Sequence, residues 1–231
     1  MSKPIVSLTY DGTLPGHLEV VVPQLQTFGI LGTFYADPAS LLDDYPAWNR
    51  AALSGHEIGN GALIGAALPD GSLPAWTEEM ICDDLSEADD LIEELFPEQA
   101  SHSIGLPWGK ALCSNDQPYL AAIAGSHPVI RTGEPGLNKP NQTNLRALRM
   151  VPMEDLEADQ MIEAVRIGIQ HQAWVILAFE GVGEGHRAID SECHRRLLGF
   201  LKMSSDLIEV APVIHAASRF GQGQWSEVSV R

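Results

Sequence analysis

The chain has 231 residues, 45% hydrophobic and 19% charged, enough for one sizeable core and typical of an ordinary globular protein. Its 14 Lys and Arg oppose 31 Asp and Glu, a net charge of −17 that repels phosphate backbones and anionic membranes. Nucleic acid and membrane surfaces are therefore excluded as expected partners. The opening MSKPIVSLTY lacks a basic region followed by an apolar run, and no stretch approaches the ~18 apolar residues of a membrane span, so a cytoplasmic protein is expected. Cys82, Cys113 and Cys193 are far apart and form no CxxC pair, which fits reduced thiols better than a disulfide frame or a zinc-thiolate site.

In chain order, residues 4–9 (PIVSLT) read as a strand. Pro15 opens a helix with Leu18, Val21, Val22, Leu25 and Phe28 at helical spacing. Residues 33–35 form a second strand, residues 48–53 a short helix ended by Gly55, and residues 56–58 a third strand. Thr77 caps a long acidic helix to Leu95, stopped by Pro97. Residues 103–108 predict a strand, 118–124 a helix, 128–131 a strand and 133–144 a turn-rich loop. Residues 145–151 predict a strand and 156–170 a helix. The uninterrupted run WVILAF, residues 174–179, marks a strand buried on both faces. Asp190 or Ser191 caps a helix to Lys202, followed by a strand over 207–211 and a helix over 215–220. This alternation predicts βα units around a parallel sheet, compatible with closure into a barrel, as one domain over residues 1–231.

Chemistry in parallel α/β barrels gathers at the C-terminal ends of the strands. The segments there are LTYDGTLPGHL, GHEIGNGALIG, IGLPWGK, VIRTG and AFEGVGEGH. Together, in order, and with GTFY, AIDSECHRRLLGFL and VAPVIHAAS, they resemble the polysaccharide deacetylase family, the NodB-homology group of carbohydrate esterases. The resemblance implies a distorted (β/α)7 barrel and a zinc or other divalent ion that polarises an amide carbonyl and activates water.

It also implies which positions carry the work. The family's base aspartate falls on Asp11. Its metal-binding aspartate falls on Gly12, and its two ligand histidines fall on Gly61 and Gly65, after a retained Asn60. The Arg-x-Pro-Tyr segment falls on Gly105, Leu106, Pro107 and Trp108, and the acid histidine on Glu180. Arg131 lies near a later arginine of the pattern. Glycine offers no side-chain donor, so no cofactor is expected, and the resemblance implies a fold retained without metal-dependent deacetylation.

Asp11 and Glu180 are the candidate catalytic pair, if their environments separate their pKa values. The plainer reading makes Asp11 a turn or capping residue and Glu180 a solvated carboxylate. Trp108, Pro107, Asn60, Arg131 and His186 are the candidate substrate-binding residues, with Trp108 and Trp76 suited to stacking on sugar faces. His56 reads as a core histidine, or as a ligand of a rebuilt metal site with Asp11 and Glu180. His17 reads as a pocket-edge residue and His194 as a surface one. GVGEG, residues 181–185, does not fit a phosphate loop, and no GxSxG elbow is present. Three roles follow: a carbohydrate-binding or regulatory protein, a hydrolase of carbon–nitrogen bonds in N-acetyl sugars or small amides, or an oligomeric structural subunit.

Overall fold

The computed structural model describes residues 3–64, 76–113, 116–185 and 187–222. Apolar β-branched runs alternating with amphipathic ones resolve into strands that pair only in parallel. In chain order the elements are Ile5–Asp11 (β1), Val22–Phe28 (α1), Thr33–Ala36 (β2), Pro38–Leu41 (α2), Tyr45–Leu53 (α3) and Glu57–Asn60 (β3). Then come Glu78–Leu95 (α4), Ile104–Gly105 (β4), Leu120–Ile123 (α5), Ile130–Pro135 (β5) and Leu148–Pro152 (β6). Ala158–Gln170 (α6), Trp174–Phe179 (β7), Ser191–Met203 (α7), Glu209–Val210 (β8) and Val213–Gln222 (α8) complete the chain.

The sheet order β2-β3-β4-β5-β6-β7-β1 closes because β1 also pairs with β2. Seven parallel strands thus form the barrel. It is distorted at its foot. Ile5 and Val6 of β1 pair with β8, while Thr9, Tyr10 and Asp11 higher up pair with β2. The short β8 wedges the lower seam between β1 and β2.

Strand residues alternate between two environments, as a period of two requires. Leu8, Tyr10, Phe34, Ile58, Leu177 and Phe179 point out, into the main core under Leu25, Val165, Leu197 and Leu198 of the helices. Each such fully buried side chain contributes about 1.5–3 kcal/mol. The inward positions include Thr9, Thr33, Tyr35 and Glu57, all buried and mostly polar. The floor of the barrel is closed by α8. Glu57 Oε2 accepts from Ile214 N–H at 2.9 Å and Thr33 Oγ1 at 2.8 Å, while its Oε1 accepts from the amide and the hydroxyl of Ser103, both at 2.7 Å. Thr33 Oγ1 in turn accepts from Val213 N–H at 2.9 Å. A carboxylate at a helix N-terminus meets free amides and the positive end of the helix dipole.

Several expected elements change extent. The strand over 103–108 shrinks to Ile104–Gly105, because Pro107 has no N–H for a ladder and Trp108 takes a left-handed backbone, φ 53°. The helix from Pro15 carries a π-helical turn, His17–Val21, directly ahead of Pro23 in α1. A wider turn gives room for a proline ring inside a helical run. The loop expected from residue 133 begins as strand, since β5 runs to Pro135. The strand over 145–151 starts as a 3-10 turn, Leu145–Ala147. The short α2, capped by the Asp37 carboxylate on Ala39 N–H, was not legible as a helix. Thr77 and Asp190 cap α4 and α7 as expected.

Candidate functional site at the barrel mouth

β1 ends at Asp11 and β7 at Phe179, and Tyr10 pairs with Phe179, so Asp11 and Glu180 follow in matched register on adjacent strands. Tyr10 and Phe179 point out to the helices, which leaves the next residue of each strand toward the mouth. The two candidate carboxylates are therefore brought to one rim. They are half-exposed, at 41% for Asp11 and 28% for Glu180. Each is paired with an arginine: Asp11 Oδ1 accepts from Arg131 Nη2 at 2.8 Å, and Glu180 Oε2 lies 3.7 Å from Arg187 Nη1.

Arg131 is the residue that sequence reading undervalued. It stands on β5, is 3% exposed, and crosses the barrel interior to reach Asp11 on β1. Its guanidinium lies over the Tyr35 ring, 4.7 Å from the centroid. Below it the Tyr35 hydroxyl donates to Ser103 Oγ at 2.9 Å, since the Ser103 proton is spent on Glu57. Burial holds the Tyr35 phenol far above its ordinary pKa, so it stays a neutral donor. A continuous polar file thus runs from α8 through Glu57, Ser103, Tyr35 and Arg131 to Asp11. Arg131 Nε is buried without a protein partner. The signal for this file was present: a charged residue inside an apolar strand, as in VIRTG or HEIGN, has only a barrel interior to point into.

Two glycines show why the family's side chains do not fit. A Cβ at Gly105, where the pattern has arginine, would lie 2.6 Å from Tyr35 Cγ and 3.0 Å from Arg131 Nη2. The Arg131 guanidinium occupies the room that a side chain on β4 would need. A Cβ at Gly61 would lie 2.8 Å from Tyr35 O and 2.9 Å from Ala36 O, both backbone atoms of β2. The donor chemistry for a metal is lacking as well. Gly12 and Gly61 carry no donor atom, Gly65 lies outside the described residues, and among the described residues no group of three or more His, Cys, Asp or Glu could hold a metal ion. The residues described thus do not fit the divalent ion that the family pattern implies.

The other candidates divide. Trp108 is at the mouth and 50% exposed. It is held in a left-handed conformation that costs a non-glycine residue about 1–2 kcal/mol, an expense concentrated at functional surfaces. Pro107 beside it is buried. Asn60 is fully buried and turned to α4, where its amide donates to Leu85 O and Asp89 Oδ1 and its oxygen accepts from Ala62 N–H. Its side chain is thus spent on holding the loop rather than presented to the mouth. His186 lies outside the described residues.

His17, expected at the pocket edge, is fully buried. Its Nε2 donates to the Glu180 carbonyl at 2.8 Å, and burial lowers its pKa, so a neutral ring ties the first helix to the end of β7. His194, expected on the surface, is also fully buried. Its Nδ1 donates to Gln24 and its Nε2 accepts from the Tyr10 hydroxyl, with burial lowering its pKa to about 3. The periodicity of α7 points one face inward, and His194 lies on it beside Leu197 and Leu198. His56 is buried and accepts from Gly32 N–H, with burial lowering its pKa to about 4, so it is a neutral core histidine.

Neither models of known protein families nor curated protein sequences match the chain. Solved structures do. A family 4 acetyl xylan esterase from Clostridium thermocellum, in complex with a cobalt ion, superposes with a TM-score of 0.62 at 17% identity, covering 98% of this chain and 100% of that one. A family 4 carbohydrate esterase from Bacillus subtilis gives a TM-score of 0.58 at 17% identity, over 94% of this chain and 82% of that one. A pseudoenzyme of the same family, CE4, from Bacillus anthracis gives 0.60 at 15% identity; the match covers 93% of this chain and 65% of the pseudoenzyme. A mutant of that pseudoenzyme with restored enzymatic activity gives 0.61 at 16% identity, over 93% and 67%. Among the described residues no helix is long and apolar enough to cross a membrane. The chain therefore has the distorted (β/α)7 barrel fold of the CE4 polysaccharide deacetylases, shared with family 4 esterases and a pseudoenzyme.

Proposed function

We propose that this protein is a divergent polysaccharide deacetylase-like barrel that has lost metal-dependent deacetylation and uses its mouth to bind carbohydrate. The observation that carries the reading is the closed approach at Gly61. Backbone oxygens of β2 stand where a ligand side chain would begin. The carboxylate best placed to act as a base, Asp11, is at the same time committed to a buried arginine. What remains at the rim is a binding surface: the Asp11 and Glu180 carboxylates and Arg187 for sugar hydroxyls, with Trp108 as an apolar plane. Neighbours of the same fold named as a carbohydrate esterase and an acetyl xylan esterase support a carbohydrate ligand.

The test joins two measurements on protein purified without chelators or metal-affinity steps. Elemental analysis is expected to find far less than one divalent ion per chain. Calorimetric titration with chitooligosaccharides is expected to show binding without release of acetate. About one metal per chain together with acetate release would overturn the reading.

A second reading is favoured by the matched register of Asp11 and Glu180. As a metal-free acid–base pair they would hydrolyse a carbon–nitrogen bond of an N-acetyl sugar or small amide. It requires one of the two carboxylates to act as the acid while each is engaged with an arginine. Chitooligosaccharide turnover that disappears in Asp11→Asn, in metal-free protein, would bring this reading forward.

A further inference from the structure

The stagger of the barrel sets the end of β3 beside the start of β4, with Asn60 opposite Ile104. There, outside the barrel and away from the mouth carboxylates, three segments converge on one side chain of α4. Asp89 Oδ1 accepts from Asn60 Nδ2 and from His102 Nε2, both at 2.6 Å. Its Oδ2 accepts from His127 Nε2 at 2.5 Å. The three side chains of the cluster are 17%, 9% and 14% exposed for Asp89, His102 and His127, so the carboxylate is shielded but reachable by protons.

His127 is bonded at both ring nitrogens. Its Nδ1 stands 3.0 Å from the Ile123 carbonyl, which can only accept, and its Nε2 faces a carboxylate, which when ionised can only accept. That arrangement is met in full by the imidazolium. In the neutral ring that keeps Nε2–H on Asp89, Nδ1 becomes an acceptor, the bond to the Ile123 carbonyl is lost, and the bond to Asp89 loses its charge assistance. Among the described residues the Ser126 hydroxyl at 3.0 Å is the donor within reach of Nδ1. The titratable groups facing His127 are Asp89 of α4 and, across the same carboxylate, His102 ahead of β4. The turn after α5 contributes the Ile123 carbonyl and the Ser126 hydroxyl.

The carboxylate is in turn bound to the mouth. Asn60 Oδ1 accepts from Ala62 N–H at 2.7 Å, and Ala62 is held at φ 75°, a conformation an alanine adopts only under restraint. Five residues earlier on α4, Asp84 Oδ1 accepts from Ile64 N–H at 2.8 Å. α4 thus pegs the segment 60–64 at two points. The Asp89 peg is the one that shares its acceptor with two imidazoles.

We propose that Asp89, His102 and His127 form a proton-operated clamp on the mouth segment 60–64. A protonated His127 makes a charge-assisted bond that fixes Asp89, and through Asn60 it holds Ala62 in its strained turn. Loss of the proton weakens that bond and loosens the turn. Burial opposes the His127 charge, but the hydrogen bond and charge of Asp89 raise its pKa above the ordinary imidazole value. The clamp is accordingly closed below that raised value and opens as pH rises through it. The clamp stands apart from the carbohydrate-binding reading and survives its failure.

The test is a proton and nitrogen NMR titration of the full chain from pH 5 to 8.5. It follows the His127 ring and the Ala62 and Ile64 amides in wild type and in His127→Gln. The Ala62 amide is expected to titrate with the midpoint of His127, and its hydrogen exchange to quicken several-fold beyond the base-catalysed trend. In His127→Gln it is expected to hold one position throughout. A flat Ala62 amide while the His127 ring titrates would overturn the proposal. So would the same Ala62 transition in His127→Gln.

Discussion

The two ends of the barrel are built from similar side chains and behave as opposites. At the floor, every oxygen of Glu57 is met by a donor, and α8 closes the structure over it. At the mouth, Asp11 and Glu180 are each partly exposed beside an arginine, and Trp108 stands half-exposed on a strained backbone. A buried carboxylate is tolerated only when its acceptor sites are filled; a partly exposed one can also be met by water. The floor is therefore built for stability and the mouth is open to solvent, with Tyr35 and Arg131 as the column between them.

That contrast is broken most directly at the floor. Glu57→Ala takes the acceptor from the Thr33 hydroxyl and from the Ser103 and Ile214 amides, and is expected to destabilise by about 3–5 kcal/mol in urea unfolding. A cost below about 1 kcal/mol would mean the floor is not the anchor described. Gly61→His is the corresponding probe at the mouth. Overpacking against β2 backbone is expected to cost about 2–3 kcal/mol, and the combined Gly12→Asp, Gly61→His protein is expected to gain no zinc by elemental analysis. Room exists at Gly12, with nothing within 4 Å of a Cβ, but its φ of 84° adds strain for any side chain.

Asp11→Asn removes the counter-charge of a buried arginine. Because Asp11 is itself 41% exposed and water can replace part of the pairing, the expected loss is about 1–2 kcal/mol, smaller than at Glu57. Equal losses at the two carboxylates would erase the distinction between the ends.

The Asp89 cluster gives a smaller, pH-dependent effect. Burial alone would raise the Asp89 pKa, but hydrogen bonds from His102, His127 and Asn60 hold it well below the usual carboxylate range. Its stabilisation is present above about pH 4 and is lost as pH falls through the depressed value. That of His127 is present below about pH 6.5 and is lost as pH rises through its raised value. Thermal melts are thus expected to show this contribution at its fullest between roughly pH 4 and 6.5, and Asp89→Asn to flatten the profile. Trp108→Ala closes the series. It is expected to leave stability within about 0.5 kcal/mol, since half the ring is in solvent, while weakening chitooligosaccharide binding about tenfold in calorimetry.

Periodicity and caps in the sequence determined most of the scaffold. WVILAF is β7, Thr77 and Asp190 start their helices, and the alternation of strands and helices already implied a parallel barrel. The mouth segments in their order pointed to Asp11 and Glu180, which the strand register does bring to one rim. These are local signals, written in spacing along the chain. What joins residues far apart was decided only by the tertiary structure. Arg131 meets Asp11 across 120 positions, and Arg131 fills the room beside Gly105 from another strand. His194 is buried because α7 turns that face inward, and Asn60 points to α4 rather than the mouth. No spacing rule encodes such meetings, because closing the barrel brings strands together across its interior, and which side chains then face one another is fixed by stagger and packing rather than by distance in sequence.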